Sequence, residues 1–495
     1  MKSYIPHISN LLDGVIGGLD LLMPELILSG AFLLSIFCGI LTRNNSKLTW
    51  WVTVIGISTS AVFSIFQFTM PSVDPIFFGM ILPDAKGALL KLLIGFACLL
   101  FCIFIHYNQA LKNHAKRTDD LLSVLLVVHI GLSLMATSVN WLMVYIAIET
   151  VSIGSYIMVG YMARDRKQSE AAMKYVLFGT MCSAIMLYGL SLFYGYTGSL
   201  CFVEPAHLIG LTKMPPLVFM VSILFVLTGI GFKLSFVPFH FWSPDVYQGA
   251  PTPVTAFIST APKIAAIALL SRFIYAWPSM QATLPVEIFY LLAAVAIASM
   301  LLGNVVATRQ DNVKRMMAYS SIGHTGFLIM ISLTDFDRSF SVLFFYLAAY
   351  VMMNMGVFMT ADYLEERLGL VNVSQYRGLG KVYPLLMVAM TILMMALIGL
   401  PPTIGFVAKL LAFSAVISTY QQAASIMWLL LLATGAITTV IALFFYFRIP
   451  LNAFLREPKE RMSSLSYNGL AICACLLSLL SLLLGLYPSL LQLNS

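Results

Sequence analysis

Glu149, Lys233, Lys263 and Lys409 lie where an oily chain should carry no charge. Glu149 sits in the run WLMVYIAIETVSIGSYIMVGY, Lys233 in FVLTGIGFKLSFVPFHFW, Lys263 in VTAFISTAPKIAAIALL and Lys409 in LIGLPPTIGFVAKLLAF. A charge at the centre of a bilayer costs roughly 2.5 kcal/mol or more, so such residues are rare and mark ion or proton paths. Desolvation disfavours an ammonium, whereas a nearby carboxylate favours it. A buried lysine with a carboxylate that can move or be neutralised can therefore hold a proton and then release it. Glu149 and Lys233 form such a candidate pair, titrating as a unit. Lys263, His324 and Lys409 are candidates to relay the proton laterally, with Lys409 as the exit toward the outside. A static salt bridge is a poor account of the first three, because one carboxylate cannot neutralise two lysines.

Their depth follows from counting. Lys233 lies about nine residues before the polar segment SPDVYQGAPTP and Lys263 about ten after it. At 1.5 Å per residue each is about 14 Å deep, near half of a roughly 30 Å hydrocarbon core. Glu149 is again near the centre of its run. His240 follows Lys233 by two turns on the same face of an unbroken helix, if Pro238 leaves one. Lys91 and Lys174 stand near span starts, where a lysine can snorkel to the interface. His129 reads as a polar packing residue, and Glu25, after Pro24, as a helix-start charge.

The elements that must position these residues are transmembrane helices. The chain has 495 residues, is 60% hydrophobic and only 10% charged. A soluble protein carries about 25% charged residues, so this chain is solvated by lipid. Fourteen apolar runs are long enough to span, at about 20–41, 51–70, 88–106, 120–138, 140–161, 171–195, 217–242, 253–276, 286–307, 315–333, 340–362, 383–416, 425–447 and 466–490. Continuous runs of this kind exclude a β-barrel. The start reads as retained, without a cleavable leader. The fold expected is all-α and polytopic, with an N-terminal three-helix segment (1–119), two five-helix blocks (120–276 and 286–447) and a C-terminal helix (448–495). Spans seven and twelve look broken, by Pro238 after Lys233 and by Gly399-Leu400-Pro401-Pro402 before Lys409. Broken helices in matching places of two halves point to a transport site and to an inverted repeat.

Net charge is +7, and its distribution explains it without nucleic acid. With fourteen spans, alternate loops on one face carry Arg43, Lys47, Lys112, Lys116, Arg117, Arg164, Arg166, Lys167, Arg309, Lys314, Arg315, Arg367, Arg377, Lys381, Arg448, Arg456, Lys459 and Arg461. The other face carries only Lys2, Lys86, Lys213, Arg272 and Arg338. The cation-rich face is then cytoplasmic and both termini lie outside. Seven scattered cysteines show no metal-ligand spacing. No haem, iron–sulfur or nucleotide motif is present, so redox chemistry is expected on other chains.

At YIAIE (145–149), EAAMKY (170–175), GFKLSFVPFH (231–240), WSPDVYQGAPTP (242–253), KRMMAYSSIGH (314–324) and GFVAK (405–409), the chain resembles the antiporter-like membrane subunits of respiratory complex I, in particular the N-type subunit of NADH–quinone oxidoreductase. The resemblance implies two inverted five-helix repeats, two broken helices, the pair Glu149 and Lys233, and a central Lys263. It implies that Lys174 connects a half-channel to the pair. A lysine at Lys409 is the N-type feature, and the end after span fourteen lacks the lateral helix of the L-type sister. It further implies a proton-translocating subunit in a bacterial inner membrane rather than an organellar one. NADH, flavin, iron–sulfur clusters and quinone belong on partner subunits, and sister antiporter-like and small membrane subunits are its neighbours. A subunit of a multisubunit cation/proton antiporter and a non-pumping structural subunit are the rival readings.

Overall fold

Apolar runs of this length have one way to satisfy their backbone in lipid, the helix. In a computed structural model of the chain the described residues are 15–41, 47–70, 74–114, 118–162, 166–279, 283–334, 336–457 and 466–492. Among them the protein is helical, with isolated bridges and no strand. The helices are α1 (Met23–Leu41), α2 (Lys47–Thr69), α3 (Ala85–Tyr107), α4 (Thr118–Thr137), α5 (Trp141–Val159), α6 (Arg166–Thr197), α7 (Pro216–Leu234), α8 (Trp242–Gly249) and α9 (Thr252–Ser279). They continue with α10 (Val286–Ala307), α11 (Val313–Ser332), α12 (Phe336–Leu368), α13 (Pro384–Ile398), α14 (Ile404–Ala423), α15 (Ile426–Pro450) and α16 (Gly469–Leu486), with shorter helical turns in the connections. Side-chain caps set several starts. Asp84, Asn140, Asn312 and Asn468 each accept a backbone N–H from the first turn of the helix that follows.

Thirteen of the described helices are long and apolar enough to cross a membrane. α11 is the expected tenth span. It is 20 residues long and buried over most of its length, but it carries Lys314, Arg315, His324 and several serines. α13 and α14 together form the twelfth. Lys2, Arg43, Lys116, Arg117, Arg164, Lys459 and Arg461, and the side chain of Arg338, lie outside the described residues.

Burial separates an axis from a lipid-facing rim. The apolar windows of α9 and α12 are 100% and 94% buried, against 28% and 33% for the first two spans. α9, which carries Lys263, is thus the centre of the bundle. α11 and α12 both pack on it, and α11 also packs on α10 and α14. α12 runs to Leu368, past the expected end at 362, so Asp362, Glu365 and Glu366 are helical.

Both expected breaks are present, and they are built alike. α7 ends where Ser235 turns left-handed (φ 56°). The Ser235 N–H bonds the carbonyl of Phe232, and the Phe236 N–H that of Gly231, both at 3.2 Å. α13 ends where Gly399 turns left-handed (φ 88°). The Gly399 N–H bonds the carbonyl of Ala396, and the Leu400 N–H that of Met395, both at 3.0 Å. This is the same two-bond helix stop with the same spacing. Pro238 and the pair Pro401-Pro402 follow at once and cannot restart the ladder.

The breaks correct two expectations. The depth count treated Lys233 and the polar segment as one helix, but the chain leaves the helix one residue after Lys233 and refolds as α8. Lys233 is therefore at the break itself. His240 lies beyond it in the linker and does not share a helix face with Lys233.

Candidate functional site

The Schellman-type stops leave the last helical carbonyls of α7 and α13 without helix partners. Each would be costly in a dry interior. One is satisfied by a lysine that the sequence singled out, the other by a threonine hydroxyl bonded to such a lysine. The Lys409 Nζ donates to the carbonyl of Ile398, the last residue of α13, at 2.7 Å. The carbonyl of Leu234, the last residue of α7, accepts from Thr325 Oγ1 at 2.9 Å. That hydroxyl in turn accepts from Lys263 Nζ at 2.8 Å. So one ammonium touches a half-helix C-terminus directly and the other through a single hydroxyl. A helix C-terminus carries partial negative charge, which favours a cation there.

α11 joins these lysines. Lys263 also donates to the carbonyl of Ser321 at 2.8 Å. Lys409 sits over the Phe327 ring, 5.1 Å from its centroid, and its second polar neighbour is Thr439 Oγ1 at 3.5 Å. Between Ser321 and Phe327 on α11 stands His324. Its Nδ1 is 2.8 Å from the Tyr346 hydroxyl and its Nε2 3.5 Å from that of Tyr446. Tyr446 bonds Ser320, and Tyr350 bonds Ser321. Lys263 with Thr325 and Ser321, His324 with Tyr346 and Tyr446, and Lys409 thus make a polar band of three neighbouring groups along α11, and their hydroxyls and imidazole can both donate and accept hydrogen bonds.

Lys233 and Glu149 differ. Lys233 is 3% exposed, and its Nζ has no hydrogen-bond partner; neither has the buried Glu149 Oε1. Among the described residues no ion pair joins them, although Glu149 stands in the middle of α5. An unpaired buried ammonium is the high-energy form of a lysine. Around it Phe232, Trp242, Tyr175 and Tyr156 stack in sequence, with Tyr175 on Trp242 at 4.5 Å.

Of the remaining candidates, Lys174 is tied up outside the band. It pairs with Glu170 at 2.8 Å and with Asp245 of α8 at 2.7 Å, and Asp245 also holds Arg315 at 2.6 Å. It makes no direct contact with Glu149. His240 is buried against Phe241, ring centroids 4.4 Å apart, away from the band.

Some groups were missed. Asp245 lay in plain view in a motif but was read as loop. Lys91 does not snorkel. It is 3% exposed and pairs with Glu25 at 2.6 Å. Asp362, Glu365, Glu366 and Lys314 line a polar cavity of about 410 Å³ at the end of α12, beside Gly249–Thr252. Only the acidic spacing DYLEE hinted at it. Among the described residues no group of His, Cys, Asp and Glu is arranged to hold a metal, and no disulfide joins any of the seven cysteines.

Comparison with known proteins matches residues 138–442 to the family described as NADH:quinone oxidoreductase/Mrp antiporter, TM. The chain is 37% identical over 491 residues, 97% of its length and 94% of the relative's, to NADH-quinone oxidoreductase subunit N 2 of Chloroherpeton thalassium. It is 37% identical over 448 residues, 89% of its length and 86% of the relative's, to NADH-quinone oxidoreductase subunit N of Chlorobium chlorochromatii. Among solved structures it superposes on a chain of respiratory complex I from Thermus thermophilus with bound aureothin, with TM-score 0.76, 27% identity and coverage of 95% and 98%. It also shares its fold with a chain of the Mrp complex from Dietzia sp., with TM-score 0.79, 20% identity and 96% of each chain covered.

Proposed function

We propose a specific proton route through this chain, from the premise that it belongs to the NADH-quinone oxidoreductase subunit N family. It is an antiporter-like, proton-pumping membrane subunit that works beside other membrane subunits. The protein acts as a translocase component without a redox centre of its own. NADH oxidation, flavin, iron–sulfur clusters and quinone reduction belong to its partners, whose released free energy must change the protonation of this chain.

The route begins at Glu149 and Lys233. While Glu149 is charged and near, it stabilises the Lys233 ammonium. When the carboxylate is neutralised or drawn away, the desolvated ammonium is destabilised and gives up its proton. The proton passes to Lys263, then along the α11 hydroxyls and His324 to Lys409, the exit on the second broken helix. Lys174, joined to Asp245 and Arg315, serves the entry side, and His240 guards the linker of the first break. The two five-helix blocks act as inverted repeats, with the cation-rich loops cytoplasmic and the termini outside a bacterial inner membrane. Moving one proton against 100 mV costs about 2.3 kcal/mol. The gain or loss of one charge-assisted hydrogen bond, about 1.5–3 kcal/mol, is on that scale.

The observation that supports this reading best is the matched termination of α7 and α13, the final carbonyl of α13 accepting from Lys409 and that of α7 from the Thr325 hydroxyl, which accepts from Lys263. The test is NADH-driven proton uptake in inverted membrane vesicles for Glu149→Gln, Lys233→Ala and Lys263→Ala, with assembly checked. Uptake should fall in all three while the complex stays assembled. Unchanged uptake in all three would leave a structural subunit as the reading, and uptake that follows sodium instead of protons would favour the antiporter.

A further inference from the structure

The first three spans carry an acid–base cluster of their own. Glu25 is near the start of α1, Gln67 near the end of α2 and Lys91 near the start of α3. These ends meet on the face opposite the cation-rich loops. Lys91 Nζ lies 2.6 Å from Glu25 Oε1 and donates to Gln67 Oε1 at 3.1 Å, with the lysine and glutamate side chains 2% and 6% exposed. His129, on α4, is 2% exposed and its Nδ1 has no hydrogen-bond partner. Its ring lies against Gly95, one turn along α3 from Lys91, with a Cβ at Gly95 falling 3.8 Å from Cε1.

A purely structural ion pair in this setting should be fully bonded, because its desolvation cost is recovered only if the remaining lone pairs are satisfied. Here neither Glu25 oxygen has a hydrogen bond beyond the ion contact, and His129 keeps an open nitrogen. We infer that Glu25 and Lys91 form a second protonatable site in the outer half of the protein, which takes up and releases a proton during turnover, apart from the Lys263–Lys409 band. The proton moves between carboxylate and ammonium within the pair. This inference rests on the proton-translocating reading of the chain, but its test does not pass through Lys233.

A hydrophobic carbodiimide attacks buried carboxyls only in their protonated form. In the intact wild-type complex turning over NADH, Glu25 should be modified, as read by peptide mass spectrometry. A permanently ionised pair leaves Glu25 unmodified at every pH and overturns the inference. As a second arm, the double variant Glu25→Gln with Lys91→Gln removes both charges and keeps the side-chain volumes. Proton uptake per NADH should drop at least twofold. A double variant that pumps like wild type overturns the inference, and if it fails to assemble the labelling result decides. Loss of pumping in Lys233→Ala together with an unmodified Glu25 would sink this site and leave the main route standing.

Discussion

Thr325→Val removes one hydroxyl from the centre of the band and leaves its shape. The wild-type hydroxyl accepts from Lys263 Nζ at 2.8 Å and reaches the Leu234 carbonyl at 2.9 Å. Of the three N–H groups of Lys263, two have acceptors in the structure, the other being the Ser321 carbonyl. Deleting a hydrogen bond to a charged group costs about 1.5–3 kcal/mol. At 1.4 kcal/mol per factor of ten, the ammonium form of Lys263 should become roughly 10- to 100-fold less populated against its neutral form. The loss falls on the protonated state, so the pumping deficit should grow as pH rises, where the proton is scarcer. The Leu234 carbonyl also loses its partner, which costs about 1–3 kcal/mol if it stays dry and should lower the thermal midpoint of the complex. The assay is dye-reported proton uptake per NADH oxidised in inverted vesicles, from pH 6 to pH 8.5. Thr325→Ser keeps the hydroxyl and should restore both slope and yield. A valine variant assembled at the wild-type level, with the wild-type ratio across the whole range, would refute the idea that Lys263 depends on this hydroxyl.

Three further changes test neighbouring parts. Gly399→Ala places a Cβ 2.8 Å from Lys409 Cδ at a left-handed residue; the backbone alone costs roughly 1–2 kcal/mol, so assembled complex and its melting midpoint should both decrease, and an unchanged midpoint would contradict the shared helix-stop geometry. Phe327→Leu removes the ring under the Lys409 ammonium, worth about 2 kcal/mol when desolvated; it should reproduce the pH-dependent deficit of Thr325→Val, and an equal loss at every pH would argue for packing instead. Asp245→Asn breaks contacts to Lys174 and Arg315 whose side chains are about a third exposed, where each pair is worth at most about 1 kcal/mol, so assembly should survive. Burial pulls the Asp245 carboxyl up, but Lys174 and Arg315 outweigh it and hold it below the ordinary carboxylate range. A carboxyl so depressed contributes its stability above that range and loses it only as pH falls through the lowered value. The melting difference between wild type and Asp245→Asn should therefore stay constant from pH 8 to pH 5, and a difference that vanishes by pH 6 would contradict the assignment.

The membrane-spanning architecture was legible because lipid permits so few backbone solutions. Runs such as 88–106 and 120–138 map onto α3 and α4 with small boundary shifts, and each proline-rich interruption marked a real break. The lysines were legible for the same reason: a charge in an apolar run stands out against its neighbours. Partners were not legible. Nothing in the sequence ties Lys91 to Glu25, 66 positions apart, and a lysine six residues into a helix has the same local pattern whether it snorkels or pairs. Tyr346 and Tyr446 were invisible as site residues, because a tyrosine in a span looks like any aromatic until its hydroxyl is seen 2.8 Å from an imidazole nitrogen. The shared face of His240 and Lys233 was conditional on a continuous helix, and the helix stops at Leu234.

A helix broken inside a membrane exposes carbonyls that neither lipid nor helix can satisfy. Something must donate to them, and the donor must itself survive burial. A lysine meets both needs at once, since the carbonyl dipoles that need a donor also stabilise the ammonium that supplies it. Deprotonation would then have two linked consequences. The lysine loses its charge, and its remaining N–H becomes a weaker donor to the half-helix end or to the hydroxyl that serves it. At Lys409 this coupling is direct, through Ile398, and at Lys263 it passes through Thr325 to Leu234. The same atoms that hold the proton therefore hold the break in place, so a change of protonation at either lysine must alter the forces on α7 or α13. A lysine placed mid-helix against an unbroken neighbour would change its charge without that mechanical effect. In the proposed route this links proton movement at Lys409 and Lys263 to the forces on the ends of α13 and α7.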